Sequence, residues 1–327
     1  MKKRMIIGIL LSVVFIYLSV RGLNFKEVAA SFRTVRYGYI IPVLFVLLFI
    51  QFLRSYRWGL ILSPIEKINQ LSLFSVTCVG FLAIIAIPAR LGELARPYLI
   101  THKSNVKMTA ALGSIFLERT FDVLTILIMF FTVALLTPLP PWLMKSSVTF
   151  FVIILCVIAL TIFLVVRRDT SLKILKPVIG RLSEKYSHKL EELVNHFVSG
   201  FKMIADFRLI MYVTFLSMLI WAVNALAIYI LFFAFDFHLP AVAAIAVMIV
   251  VIIGITIPTA PGFIGNWHFF CILGLGLFGI SRVDAMAYAV LYHFLAIGIA
   301  VALGLVFLPS NTFFLSDLRG NLISRPN

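Results

Sequence analysis

The residues best equipped for chemistry in this chain stand where a membrane-grade apolar run breaks. In "IIAIPARLGELARPYLI", residues 84–100, the run ends at Pro88 and is followed at once by Arg90, Glu93 and Arg96. Steps of three place these charges on one side of a helical turn. Gly92 removes a side chain where another backbone or a headgroup can approach, and Pro97 leaves the Glu93 carbonyl without its helical donor. Glu118, Arg119 and Asp122 interrupt a second apolar segment, "FLERTFD". Glu118 and Asp122 share a helix face and repel unless a cation lies between them, a place open to Arg119, Arg90 or Arg96. Arg54 and Arg57 of "RSYRW" are also one turn apart. Each such group costs about 2.5–3.5 kcal/mol in a bilayer even on the lenient insertion scale, so it marks a functional site by default. Guanidinium groups suit a phosphate, which they bind through two parallel hydrogen bonds. Structural roles stay open beside this one: an Arg–Glu–Arg staple on a hairpin, and snorkelling anchors in Arg54 and Arg57.

A second broken segment, "PTAPGFIGNWHF", carries Pro258, Pro261, Gly262 and Gly265 together with Asn266 and His268. The expected substrate-binding residues are therefore Arg54, Arg57, Arg90, Glu93, Arg96, Glu118, Arg119, Asp122, Asn266 and His268. Pro88, Gly92, Pro258, Pro261, Gly262 and Gly265 are the expected hinge or gating positions. His293, inside an apolar run, is expected to make a helix–helix hydrogen bond.

The elements that must position these residues follow from composition. Of 327 residues, 62% are hydrophobic, and the mean hydropathy is +1.10. These values define an all-α polytopic membrane protein. Full spans are expected at about 5–20, 37–62, 108–137, 146–166, 209–235 and 284–308, with shorter apolar runs at 71–87, 241–257 and 263–280. The opening resembles a signal peptide but lacks a small-residue cleavage site, so it is expected to stay as the first span.

The basic segment 167–208 and the Lys2–Lys3–Arg4 start both read as cytoplasmic. An even number of crossings must separate them, so the short run 71–87 is expected to be re-entrant. "AIIAIPARLGE" at 83–93 has a weak counterpart in "IGITIPTAPGF" at 253–263. The two enter from opposite sides in this topology, which is the mark of an inverted-repeat transporter. One translocase domain over 1–327 is expected: a first repeat at about 37–166, a cytoplasmic amphipathic segment at 167–208, a second repeat at about 209–308 and a tail at 309–327. The apolar stripe Leu182, Tyr186, Leu190, Leu193, Phe197, Phe201, Ile204 suits a helix lying on the inner leaflet or on the protein's own cytoplasmic face.

The net charge of +15 is spread between spans, which fits topology and anionic headgroups and argues against nucleic acid. Cys78, Cys156 and Cys271 lie singly in apolar runs and have no metal-ligand spacing. No nucleophile elbow, P-loop or metal-spaced His/Cys cluster is present in the sequence. The expectation is therefore no enzyme, no cofactor and no metal.

Four motifs, "RSYRW" (54–58), "IPARLGELARPY" (87–98), "LERTFD" (117–122) and "IPTAPGFIG" (257–265), resemble the membrane region of lysylphosphatidylglycerol synthases, the flippase-like family, and stand in that family's order. The resemblance covers roughly 5–308. It implies a lipid translocase like the membrane part of the multiple-peptide-resistance factors, whose separate cytosolic aminoacyltransferase domain has no counterpart in these residues. The chain departs from the pattern after Gly265, where Asn266-Trp267-His268 replaces an expected acidic residue. The expected activity is movement of an anionic or phosphate-bearing lipid between leaflets of the cell membrane, with both termini cytoplasmic. Membrane lipids are the expected partners, and self-association is left open. The alternatives are a small-solute or ion secondary transporter, or an accessory membrane subunit of envelope-lipid or glycan assembly.

Overall fold

In a bilayer core no water is available to the backbone, so each apolar run must close its own hydrogen bonds as a helix. The computed structural model describes residues 2–87, 92–136, 152 and 199–311. Among these the regular elements are helical and no strand occurs. The α-helices are α1 (Lys2–Val20), α2 (Phe25–Arg33), α3 (Ile40–Leu62), α4 (Gln70–Ala86), α5 (Ala95–Thr101), α6 (Met108–Leu136), α7 (Phe207–Ala234), α8 (Ala241–Ile255), α9 (Asn266–Gly276) and α10 (Arg282–Phe307).

Of the six full spans expected, four are present as helices long and apolar enough to cross a membrane: α3 with its preceding turn, α6, α7 and α10. The first is α1, which bends by 76° into α2. The expected span 146–166 lies outside the described residues apart from Val152, as do the tail beyond residue 311 and most of 167–208.

The segment 21–36, between the first two expected spans, contains the helix α2 over Phe25–Arg33. Its cap is built from sequence: Asn24 Oδ1 accepts from the Lys26 amide at 3.0 Å and Asn24 Nδ2 donates to Glu27 at 2.9 Å. Asn24 is the N-cap, and Glu27 holds its side-chain amide in place.

The runs expected at 71–87 and 241–257 form short apolar helices. α4 has 17 residues and α8 has 15. At 1.5 Å per residue they reach about 25 and 22 Å, short of the ~30 Å hydrocarbon core. The run expected at 263–280 is helical only over the 11 residues of α9. Element lengths thus follow one order twice: long α3, short α4, a break, short α5, long α6; then long α7, short α8, a break, short α9, long α10.

The chain divides into two compact units. The first comprises Met1–Tyr56, Gln70–Leu99 and Leu219–Asn327. Within it, α10 packs on α4, α9 and α2, while α9 also packs on α8 and α1. Small residues set these approaches, as in membrane helix packing generally. Gly304 of α10 seats Leu82 of α4, and Gly254 of α8 seats the Phe270 ring of α9. The buried face of α1 is Gly8, Ser12 and Ser19. Gly8 lies on the Thr259 carbonyl, and the Ser12 hydroxyl accepts from the Ala260 amide at 2.8 Å.

The second unit comprises Arg57–Asn69 and Ile100–Met218. Its apolar centre holds Ile61, Leu117, Phe201, Met203 and Val213. Gly200 lets the chain cross α6 against the Ala110 carbonyl and the Ser114 amide. Phe201 and Ile204, the described end of the amphipathic stripe, pack on the protein itself. Residues Lys202–Ala205 form a 3-10 turn rather than a continuing α-helix.

Candidate functional site

α4 ends at Ala86, and Pro88 and Arg90 fall outside the described residues. The chain returns at Gly92 as a 3-10 turn and continues into α5. A Cβ on Gly92 would overlap the Ala83 carbonyl and the Ile84 amide nitrogen, so this turn lies directly on the last turn of α4. The approach of another backbone inferred from Gly92 is present, and that backbone is α4. Glu93 is half-buried, whereas Arg96 is only 1% exposed. The Arg96 stem crosses α4 at Gly80, where any Cβ would meet its Cγ. Gly80 is thus the seat of Arg96, a role the sequence alone did not disclose.

The second break is resolved through its whole length. Pro261–Phe263 makes a 3-10 turn with Gly262 at φ 70°, and Gly265 stands at φ 95° before α9. Both values favour glycine. A Cβ at Gly265 would also press on the Ser12 carbonyl of α1. Asn266 is fully buried, and its Nδ2 donates to the Gly254 and Ile257 carbonyls, each at 3.3 Å. Its Oδ1 accepts from the Trp267 amide at 2.8 Å. Expected as a substrate ligand, Asn266 here ties the end of α8 to the start of α9, adding a side-chain donor to the Gly254 carbonyl, which also accepts from the Ile257 amide at 3.1 Å, and to the Ile257 carbonyl. Asn266→Ala should lower the melting temperature of the purified protein by an amount equivalent to about 1–3 kcal/mol, the cost of losing the buried tie and its donor to the Ile257 carbonyl. An unchanged melting curve would count against this tie.

His293 of α10 makes the expected hydrogen bond between elements, although its partner is the break rather than another helix. Its Nε2 lies 2.7 Å from the Gly262 carbonyl. His268 stacks edge-on against His293 with ring centres 4.7 Å apart. Trp267 covers Tyr292 and His293 at 5.6 and 5.2 Å. The Pro261–Phe263 turn also packs on α4. The helix of the first break therefore meets the turn of the second within one compact unit. On α3, Arg54 donates from Nη1 to Gln51 Oε1 at 3.1 Å and lies over the Phe81 ring of α4 at 4.7 Å.

In the second unit, Arg57, Glu118, Arg119 and Asp122 form one network. Arg57, 1% exposed, donates from Nη1 to Asp122 Oδ1 at 2.6 Å and to Ser217 Oγ at 2.8 Å. Its Nη2 stands 3.6 Å from Glu118 Oε1. Arg119 closes the same pair from the exposed side, 3.1 Å from Glu118 and 3.2 Å from Asp122. The cation that the Glu118–Asp122 pair requires is thus Arg57 of α3, with Arg119 beside it. Arg57 and Arg119 together bridge both carboxylates, which fits a fold-holding cluster. Trp58 adds a neighbouring tie, donating to Ser114 Oγ at 3.0 Å. Among the described residues no three His, Cys, Asp or Glu side chains converge to hold a metal ion.

Long apolar helices, two short helices broken at Ile-Pro and buried guanidinium groups together define a multi-pass helical membrane protein built around broken segments. The chain belongs to the lysylphosphatidylglycerol synthase transmembrane region family, whose model matches residues 5–304. A UPF0104 membrane protein of Methanocaldococcus jannaschii is 27% identical over 214 residues, covering 64% of this chain and 86% of its own. A UPF0104 membrane protein of Methanothermobacter thermautotrophicus is 23% identical over 330 residues, 94% of this chain and 96% of its own. No solved structure matches the chain.

Proposed function

We infer that this protein is a lipid translocase of the cell membrane, moving a lipid with an anionic, phosphate-bearing headgroup between leaflets. The observation that carries the reading is the meeting of α4 with the Pro261–Phe263 turn, with Arg54 over Phe81 and Arg96 over Gly80 on the same α4. Broken helices bring polar backbone to mid-membrane depth, where it persists only if protein buries it or a polar cavity reaches it. A guanidinium placed there offers a phosphate a charge that bare lipid does not. The hinge glycines Gly92, Gly262 and Gly265 stand at the two turns that a gate has to move. The translocase performs no bond chemistry, and its partners are membrane lipids. The basic segments at the N-terminus and at 167–208 favour a cytoplasmic location for both termini.

Purified protein in liposomes carrying fluorescent phospholipid tests this reading. Protein-dependent loss of protection from an impermeant quencher is the expected result for an anionic headgroup. Protection unchanged by the protein for every phospholipid tried, together with uptake of a soluble organic anion, would favour the small-solute transporter instead. Cysteine labelling from each side of intact cells tests the topology: residues 101–105 should react only from the cytoplasmic side.

A further inference from the structure

Two imidazoles face each other at the second break, and one of them holds the break in place. His293 Nε2 lies 2.7 Å from the Gly262 carbonyl. A carbonyl oxygen can only accept, so Nε2 carries the hydrogen, and Nδ1 is the basic nitrogen of a neutral His293. His268 of α9 stands edge-on to that ring, with centres 4.7 Å apart. It is half-buried and makes no hydrogen bond among the described residues. The Trp267 ring lies 5.2 Å from His293, inside the ~6 Å over which an aromatic face attracts a cation.

The groups around this pair leave it as the place for a proton. Imidazole is the side chain that ordinarily changes charge between about pH 5 and 8. Of the helices packed on α9, α8 has no titratable residue and α1 brings only Tyr17 beyond its basic start. Cys271 on α9, Tyr288 and Tyr292 on α10 and Cys78 on α4 are thiols and phenols, neutral at these pH values. Arg282 and Asp284 stand at the first turn of α10, where α2 packs with Lys26, Glu27 and Arg33. The Pro261–Phe263 turn packs on α4, which Arg54 meets at Phe81, Arg96 at Gly80 and the Glu93 turn at Ala83. Arg54 is also within electrostatic reach of Tyr292. In the second unit, Glu118 and Asp122 are committed to Arg57 and Arg119. Two imidazolium rings as close as His268 and His293 repel where screening is weak, so the pair accepts one proton and not two.

We propose that the His268–His293 pair is a binding site for one proton, and that this proton latches the Pro261–Phe263 turn onto α10. Binding forms one N–H bond at Nδ1 of His293, with the proton drawn from water. The Gly262 carbonyl and the Trp267 face favour the charge on His293, and His268 prevents a second. Nε2–H then becomes a charged donor to Gly262, and such bonds are shorter and roughly twice as strong as neutral ones. Low pH therefore holds the turn, and loss of the proton raises its open population about tenfold. That this opening gates a lipid rests on the translocase reading; the proton site does not.

Imidazole NMR of histidine-labelled protein in detergent, with no lipid added, reads the proton. The expected result is one step between about pH 5 and 8, carried by the His293 signal and assigned by its loss in His293→Gln. The His268 signal should stay neutral across that step and titrate there only in His293→Gln, where the competing charge is gone. Both signals titrating to completion in the parent chain, or neither moving, overturns the proton site. A spin label at Ile264→Cys, an exposed position beside the turn, reads the latch in a chain whose Cys78, Cys156 and Cys271 are replaced by alanine. Its mobile component should grow about tenfold as pH rises through the step. In His293→Gln the amide still donates to the Gly262 carbonyl but takes no proton, so the label should ignore pH. His268→Phe keeps a ring beside His293 without a base; it should retain the pH response, which guards against a folding artefact in the glutamine variant. Label mobility independent of pH in the parent chain, or a pH response surviving in His293→Gln, overturns the latch. A latch that follows pH in a protein that moves no lipid upholds the inference and removes the translocase. Lipid movement indifferent to pH while the label responds overturns the turn as the gate.

Discussion

Arg57→Ala is expected to destabilise the protein by about 3–5 kcal/mol, the range for removing one partner from a buried ion pair. The size follows from what remains behind. Glu118 and Asp122 are both buried, and Arg57 supplies the buried side of their neutralisation. Without it, two carboxylates one turn apart repel each other in a medium with little screening. Arg119→Ala should cost less than about 1 kcal/mol, as exposed pairs do, because its side chain is 46% exposed and water can replace it. Arg57→Lys should recover only part of the loss, because one ammonium cannot reach Asp122, Ser217 and Glu118 in the planar arrangement that the guanidinium holds. Thermal unfolding of the three variants in one detergent decides the matter. Equal losses at positions 57 and 119 would mean that burial does not set the cost. A triple replacement by apolar residues at 57, 118 and 122 should restore much of the stability, since a buried cluster is a requirement once present rather than a large net gain.

Gly92→Ala should be the most damaging single-methyl change in the described first break. The added carbon would overlap backbone atoms of Ala83 and Ile84, which cannot turn aside as a side chain can. The expected loss lies at or above the upper end of about 1–3 kcal/mol for overpacking, and transport should vanish with it because the turn leading to Arg96 is displaced. Gly80→Ala makes a different prediction from a similar overlap. There the obstacle is the flexible Arg96 stem, so the protein should stay folded while Arg96 leaves its seat and lipid movement falls. Gly298→Ala in α10 meets nothing within 4 Å and serves as the control. Melting temperature and lipid movement measured together separate the three. Transport retained in Gly80→Ala would show that the position of Arg96 over α4 is not used.

The breaks were legible in the sequence because proline after an apolar run has only a few outcomes in a membrane. Ile87-Pro88 and Ile257-Pro258 announced them, and helix lengths of 17 and 15 residues agree. Arg119, one of the cations expected for Glu118 and Asp122, does bridge them, but their buried partner Arg57 was not legible. Arg57 read as a companion of Arg54 because three residues separate them, yet that spacing leaves an angle of about 60° around the helix. This was enough for Arg54 to lie over Phe81 and for Arg57 to turn to Asp122. The acid pair demanded a buried cation, but a single chain gives no rule for which distant helix supplies it.

Asn266 carried a signal that spacing obscured. An asparagine directly after Gly265, at the start of a helix, suits backbone tying better than ligand binding. Gly80 was silent, since only the course of Arg96 across α4 gives it a role.

The attachment of α1 has a consequence for the time course of biosynthesis. Ser12 holds Ala260, 248 residues further along the chain. At a synthesis rate of roughly 5–20 residues per second, that partner emerges roughly 12–50 s after Ser12 does. For this interval α1 must wait in the bilayer with Gly8, Ser12 and Ser19 facing lipid or a guardian protein. A hydroxyl can wait cheaply by folding back onto its own helix, as Ser19 still does onto the Phe15 carbonyl at 2.7 Å. A helix that enters the membrane early is thus seated late. Any insertase serving this chain has to keep α1 available until the Pro258–Gly265 turn has been delivered beside it.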